Sequence, residues 1–166
     1  FVRTLVQQLR EKGKSVDIIS KTHAAVQNFG EGAVTADHWV RRHIRNGSPS
    51  CAVLVIDEIT QIEIQLWNDL AKCLFKGIQI ILSGDFRQFQ AIAEHWCAVP
   101  VREGSLQKSD MLYELAGGCF LELHENKRSD QLLFDFYTRI WAMTLEDALE
   151  KGRHDFACTD QPANFT

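Results

Sequence analysis

The sequence predicts an α/β domain with a mostly parallel sheet flanked by helices, and three observations carry that reading. The run Ala52-Val53-Leu54-Val55-Ile56 is apolar throughout and ends abruptly in two carboxylates, Asp57-Glu58. Farther along, Ile78-Gln79-Ile80-Ile81-Leu82 repeats the design and ends in Ser83-Gly84-Asp85, followed by Phe86-Arg87-Gln88. Helical patterns separate these runs. A continuous rather than alternating apolar run is what a strand buried on both faces of a parallel sheet requires, and strands alternating with helices indicate βαβ units.

Each element follows in order. Val2, Leu5, Val6 and Leu9 fall at helical spacing, and Gly13 suits a left-handed stop. Ser15 to Ser20 reads as a short strand. Thr22 or Ser20 can cap a helix through Ala24-Ala25-Val26 to Phe29. Thr35-Ala36-Asp37 opens a helix over His38 to Arg45, which Asn46-Gly47-Ser48-Pro49 stops. After the Ala52–Ile56 strand, Ile62, Leu66, Leu70 and Leu74 mark one amphipathic segment, broadened by Trp67 and Ala71 and closed by Gly77. Ser109 or Asp110 caps a helix through Leu112 and Leu115. Cys119 to Leu123 is expected as a further strand. Asp130 starts a helix bearing Leu133, Phe134, Tyr137, Ile140 and Trp141. Thr144 with Asp147 forms a capping box for Leu145 to Glu150. The expected organisation is one domain over residues 1–150, with 151–166 as a frayed tail or the start of a linker.

Composition narrows the function classes. The 166 residues are 45% hydrophobic and 24% charged, which suits one domain with a substantial core. The net charge of -4 provides no general attraction for nucleic acid, and the basic cluster Arg41-Arg42-His43-Ile44-Arg45 gives only local support. Five scattered cysteines and six dispersed histidines form neither a disulfide framework nor a zinc spacing. No apolar run approaches the roughly 18 residues that cross a bilayer. A soluble, intracellular protein with no membrane partner is expected.

In open α/β sheets ligands bind outside the carboxyl ends of the strands. Asp57-Glu58 at one such end suits a nucleoside triphosphatase, where one carboxylate holds magnesium through its waters and the next polarises the attacking water. Alone, the pair is also what any chain shows on leaving a core.

With the surrounding motifs, the chain resembles the superfamily-one DNA helicases of the RecD and Pif type. Val55-Ile56-Asp57-Glu58-Ile59-Thr60 is similar to that family's Walker B motif, and Ile81-Leu82-Ser83-Gly84-Asp85-Phe86-Arg87-Gln88 to its third motif. Ser20-Lys21-Thr22-His23-Ala24-Ala25 and Thr35-Ala36-Asp37-His38-Trp39 are similar to two elements that contact single-stranded DNA. Leu121 to Asp130 is similar to a later segment that carries an arginine facing the γ-phosphate, here Arg128. The resemblance covers about Phe1 to Ile140. It implies a RecA-like P-loop NTPase domain, the first motor domain of an ATP-dependent helicase, with ATP and Mg2+ as cofactors. Single-stranded DNA and a second RecA-like domain would be its partners.

The resemblance also implies roles. Asp57 holds the magnesium, Glu58 orients the hydrolytic water, Gln88 senses the γ-phosphate and Arg128 neutralises transition-state charge. Thr22 and His23 meet the DNA backbone, while His38 and Trp39 stack on or touch a base. Without the resemblance, Gln88 reads as a loop glutamine, Arg128 as a solvated arginine, Thr22 as a helix cap and Trp39 as a packed core residue.

Two departures matter. The phosphate loop G-x-x-x-x-G-K-[ST] does not occur in the sequence. Since the family places it just before the helix that Phe1 begins, an N-terminally truncated domain is expected, one that alone binds ATP poorly and hydrolyses essentially none. Where the family continues with a leucine and two prolines, this sequence has Phe89-Gln90-Ala91-Ile92. Two other readings stay open: a PhoH-like RNA-associated ATPase, and a degenerate nucleic-acid-binding module without catalysis.

Overall fold

In a computed structural model, which describes residues 1–30, 32–88, 91, 95–102, 104–125, 127 and 129–156, the apolar runs pair as a four-stranded parallel sheet. Helix α1 (Val2–Glu11) leads into β1 (Val16–Ser20), α2 (His23–Gln27), β2 (Ala33–Thr35) and α3 (Ala36–Val40). Then come β3 (Val53–Ile56), α4 (Ile64–Leu70) and β4 (Gln79–Leu82). The spatial order is β2-β1-β3-β4. β1 runs beside β3 from Val16↔Val53 to Ile19↔Ile56, and β3 beside β4 from Val53↔Gln79 to Ile56↔Leu82. Parallel pairing brings the carboxyl ends of all four strands to one edge. This is the RecA-like α/β arrangement that the sequence predicts.

Alternation along the strands explains why the runs are continuously apolar. Val53 and Val55, with Val16 and Ile18, cluster with Val6 of α1 on one face. Leu54 and Ile56, with Ile19 and Ile80, cluster on the other face with Trp39 and Val40 of α3 and Leu66, Trp67 and Leu70 of α4. All four residues of β3 are buried. Each such side chain contributes about 1.5–3 kcal/mol of burial.

Several expectations change. The short strand β2, Ala33–Thr35, follows Gly30 and Gly32 unexpected, because three residues are too few to display a period. The helix expected over His38 to Arg45 starts earlier, at Ala36, and after Val40 widens into a π-helical turn, Arg41–Arg45. The amphipathic segment is α-helical only to Leu70. It then tightens into a 3-10 turn, Ala71–Lys76, that leaves Phe75 exposed and ends at Gly77 with φ +69°. That left-handed conformation suits glycine and returns the chain to the sheet.

Past β4 a two-residue antiparallel pair forms, β5 (His95–Trp96) with β6 (Val99–Pro100), and then α5 (Asp110–Leu115), capped by Ser109. The strand expected at Cys119 to Leu123 does not form. No neighbouring strand takes its backbone hydrogen bonds among the described residues, and Phe120 and Leu121 are 79% and 85% exposed.

Contacts group the chain into two units, Phe1–Phe120 and Leu121–Thr166. The second contains α6 (Gln131–Arg139) and α7 (Leu145–Phe156). Asp130 caps α6, and the Thr144 hydroxyl donates to Asp147 at 2.7 Å and accepts its amide at 3.2 Å. The rings of Phe136 and Phe156 are 5.1 Å apart, so α7 continues past the expected end at Glu150. Of the tail expected over residues 151–166, Lys151 to Phe156 instead belong to α7, and residues 157–166 lie outside the described residues.

Cys51 and Cys73 are buried in the core as small hydrophobes. Burial, with the Asp17 charge beside it, pushes the Cys51 thiol up to about 12, and burial pushes Cys73 up to about 11. Cys119, expected at the edge of an apolar strand, is exposed. No helix among the described residues is long and apolar enough to cross a membrane.

Candidate active site

The acidic pair stands at the carboxyl end of β3. Asp57 donates its amide to the Ile19 carbonyl at 2.9 Å, which continues the ladder with β1 one step past the strand, and its side chain is half-buried. Glu58 then leaves the sheet in a left-handed conformation, φ +53° and ψ +49°. A glutamate held there costs about 1–2 kcal/mol relative to ordinary backbone. The surroundings hold it in place. The Glu58 carbonyl accepts from Gln61 at 3.0 Å, closing the 3-10 turn Ile59–Gln61.

The loop after β4 packs directly on that turn. Ile59 donates its amide to the Ser83 carbonyl at 3.2 Å, and Ser83 donates its own to Ile56 at 2.8 Å. Gly84 lies so close that a β-carbon there would fall 2.6 Å from Ile59 Cγ1 and 3.0 Å from its amide nitrogen. Asp85 then forms a tight turn, accepting the Arg87 amide on its carboxylate at 2.9 Å and the Gln88 amide on its carbonyl at 3.0 Å. The Gln88 side chain is exposed. Ala91 returns to donate to the Thr60 carbonyl at 2.9 Å. The two loops named from sequence are thus one interlocked structure.

The tip of β1 lies beside them. Thr22 caps α2, its hydroxyl oxygen accepting from the Ala25 amide at 3.1 Å, and His23 opens that helix exposed to solvent. Thr35 caps α3 in the same way through the His38 amide at 3.4 Å, and His38 is exposed. Trp39 is a correction. Its side chain is 1% exposed, packed in the core and donating from Nε1 to Asp17 Oδ2 at 2.7 Å, so no base can stack on it. Arg128 lies outside the described residues, as do Phe89, Gln90 and Ile92.

Sequence reasoning missed Lys21. Its ammonium bridges Asp37 at 2.9 Å and Glu63 at 2.7 Å. Burial opposes its charge, but the hydrogen bonds to Glu63 and Asp37 outweigh that and hold it above the ordinary lysine value. A lysine directly after a buried strand was the available signal.

Magnesium keeps several waters and takes one or two carboxylates along with phosphates. The residues fit such an ion. Asp57 offers a half-buried carboxylate, and Ser20, opposite it by extension of the β1–β3 register, has a buried hydroxyl without a hydrogen-bond partner among the described residues.

A family model described as an AAA domain matches residues 1–98. Two solved structures are similar over 55% of the chain, each with 27% of its own chain covered. One is the Pif1 helicase from Candida albicans, at 26% identity and a TM-score of 0.43. The other is Bacteroides sp Pif1 in complex with ADP-AlF4, at 21% identity and 0.45. The chain therefore spans little more than a quarter of the length of those helicases, and no curated protein matches it. With the match covering more than half of its residues, the chain belongs to the AAA domain family.

Proposed function

We propose that this chain is part of the first motor domain of an ATP-dependent DNA helicase, one that couples ATP hydrolysis to movement along single-stranded DNA. The observation that carries the reading is the interlock of the two loops at the sheet edge. The turn bearing Asp57-Glu58 and the loop bearing Gly84, Asp85 and Gln88 share the Ile59–Ser83 hydrogen bond and the Gly84 contact. A displacement in one is therefore felt by the other, which a motor that senses its nucleotide needs.

In this reading Asp57, with Ser20 beside it, holds a hydrated magnesium, which supplies charge neutralisation at the phosphates when bound. Glu58 takes a proton from, and orients, the attacking water. Gln88, exposed on its turn, would sense the γ-phosphate, and Arg128 would supply the neutralising guanidinium. Thr22, His23 and His38 face the nucleic acid from the neighbouring strand tips. The phosphate loop is not among these 166 residues, so this chain contributes the acidic and sensing half of an ATP site.

The test is ATP turnover in a polypeptide joining this chain to a phosphate loop and a second motor domain. Glu58→Gln is expected to lower turnover stimulated by single-stranded DNA by about a thousandfold while ATP binding persists. Unchanged turnover in that variant would overturn the reading. Stimulation by RNA in place of DNA would move the assignment to an RNA-associated ATPase.

A further inference from the structure

We propose that Lys21 is a positioning residue, a latch that pins the turn carrying Thr22 and His23 to α3 and to the start of α4. The proposal rests on the reading of this edge as a nucleic-acid interface beside an ATP site. The three members come from three elements. Lys21 follows β1, Asp37 lies in the first turn of α3, and Glu63 occupies the position just before α4 with its carboxylate turned to Lys21 rather than capping the helix. One ammonium joins them at 2.9 and 2.7 Å.

Three features make the role positional rather than direct. Lys21 is only 24% exposed along its side chain, whereas its partners are 59% and 39% exposed. Two of its three protons are already committed to carboxylates, and the triad carries a net negative charge, so it does not attract a polyanion. And α2, five residues long, has no fully buried side chain, only Ala25 and Val26 being half-buried, so packing holds His23 less firmly than it holds α3. α3, by contrast, is anchored by Trp39 and Val40. The latch ties the loosely packed turn to that anchored helix. Its other arm reaches the segment that leaves Glu58, since the turn Ile59–Gln61 leads through Ile62 to Glu63. A shift at the acidic pair thereby has a short physical route to the histidine-bearing turn.

The sign of one mutational effect separates this latch from plain electrostatics. Asp37→Asn and Glu63→Gln each delete a negative charge with little change in size. If charge alone governed binding, both variants of the 166-residue chain would bind a fluorescent oligothymidylate more tightly. The latch predicts the reverse, about fivefold weaker binding in each with an unchanged salt dependence, together with faster amide hydrogen exchange at Ala25 and Val26. Lys21→Met is expected to match them, and Lys21→Arg to recover most of the affinity.

Tighter or equal binding by Asp37→Asn and Glu63→Gln would overturn the latch. So would a salt slope that falls by about one in Lys21→Met, since that marks a direct phosphate contact. If the unaltered chain binds neither DNA nor RNA at low salt, the helicase reading of this edge fails. The exchange measurement then decides the latch by itself, and unchanged protection at Ala25 and Val26 would overturn it.

Discussion

Gly84 and Ile59 meet at a distance that leaves no room for a methyl group, and the loops after β3 and β4 fit together through that contact. A β-carbon at position 84 would lie 2.6 Å from Ile59 Cγ1 and 3.0 Å from its backbone nitrogen. The side chain can rotate away, but the amide is held by Ser83.

Gly84→Ala should therefore destabilise the chain by about 1–3 kcal/mol, the usual range for overpacking. Urea unfolding followed by tryptophan fluorescence measures it, and a midpoint within error of the unaltered chain would mean that the loops can separate at no cost.

Glu58 makes a second prediction, because its backbone is left-handed. Glu58→Gly and Glu58→Ala remove the same carboxylate but differ in the strain they leave behind. The glycine variant is expected to be the more stable by about 1 kcal/mol. Equal midpoints would show that the turn relaxes once the side chain is gone.

Asp69 governs part of the acid sensitivity. It is 8% exposed and accepts from Lys72 at 2.6 Å and from Arg45 at 2.7 Å. Burial would raise its pKa, but those two partners outweigh it and the carboxyl titrates below its ordinary 3.8. With the folded value depressed, the stabilisation is fully present above the unfolded value and is lost as pH falls through the folded one. Asp69→Asn should cost about 1–2 kcal/mol at neutral pH. The gap between the two unfolding midpoints should close as pH falls below 3.8. A gap that persists in strong acid would contradict the assignment.

Much of this was legible in the residues themselves. Ala52 to Ile56 and Ile78 to Leu82 declared buried strands because both faces of each had to be apolar. Thr22, Ser109, Asp130 and Thr144 declared helix starts because a capping oxygen works through its immediate neighbours. What stayed hidden depends on partners distant in the chain. The exposed stretch from Cys119 to Leu123 has strand composition but no strand to pair with among the described residues. Trp39 shared a motif with His38, yet its ring turns inward to Asp17 while the histidine beside it faces solvent. Lys21 acquires its role only when Asp37 and Glu63 are folded onto it.

The sheet order has a kinetic consequence. β1 lies beside β3 rather than joining β2 alone, and the seam opens with Ser15 accepting the Ala52 amide across 37 positions of chain. Such a seam cannot zip from a hairpin. The intervening segment must be looped, with β2 and α3 carried along, before any contact across the seam repays the lost chain entropy. Until then Val53, Leu54, Val55 and Ile56 lack their partner on the β1 side. The residues that define the finished core are thus the ones most exposed to misassembly while the chain is still searching, and a substitution that slows closure of that loop would lower the yield of folded protein even if it left the final fold equally stable.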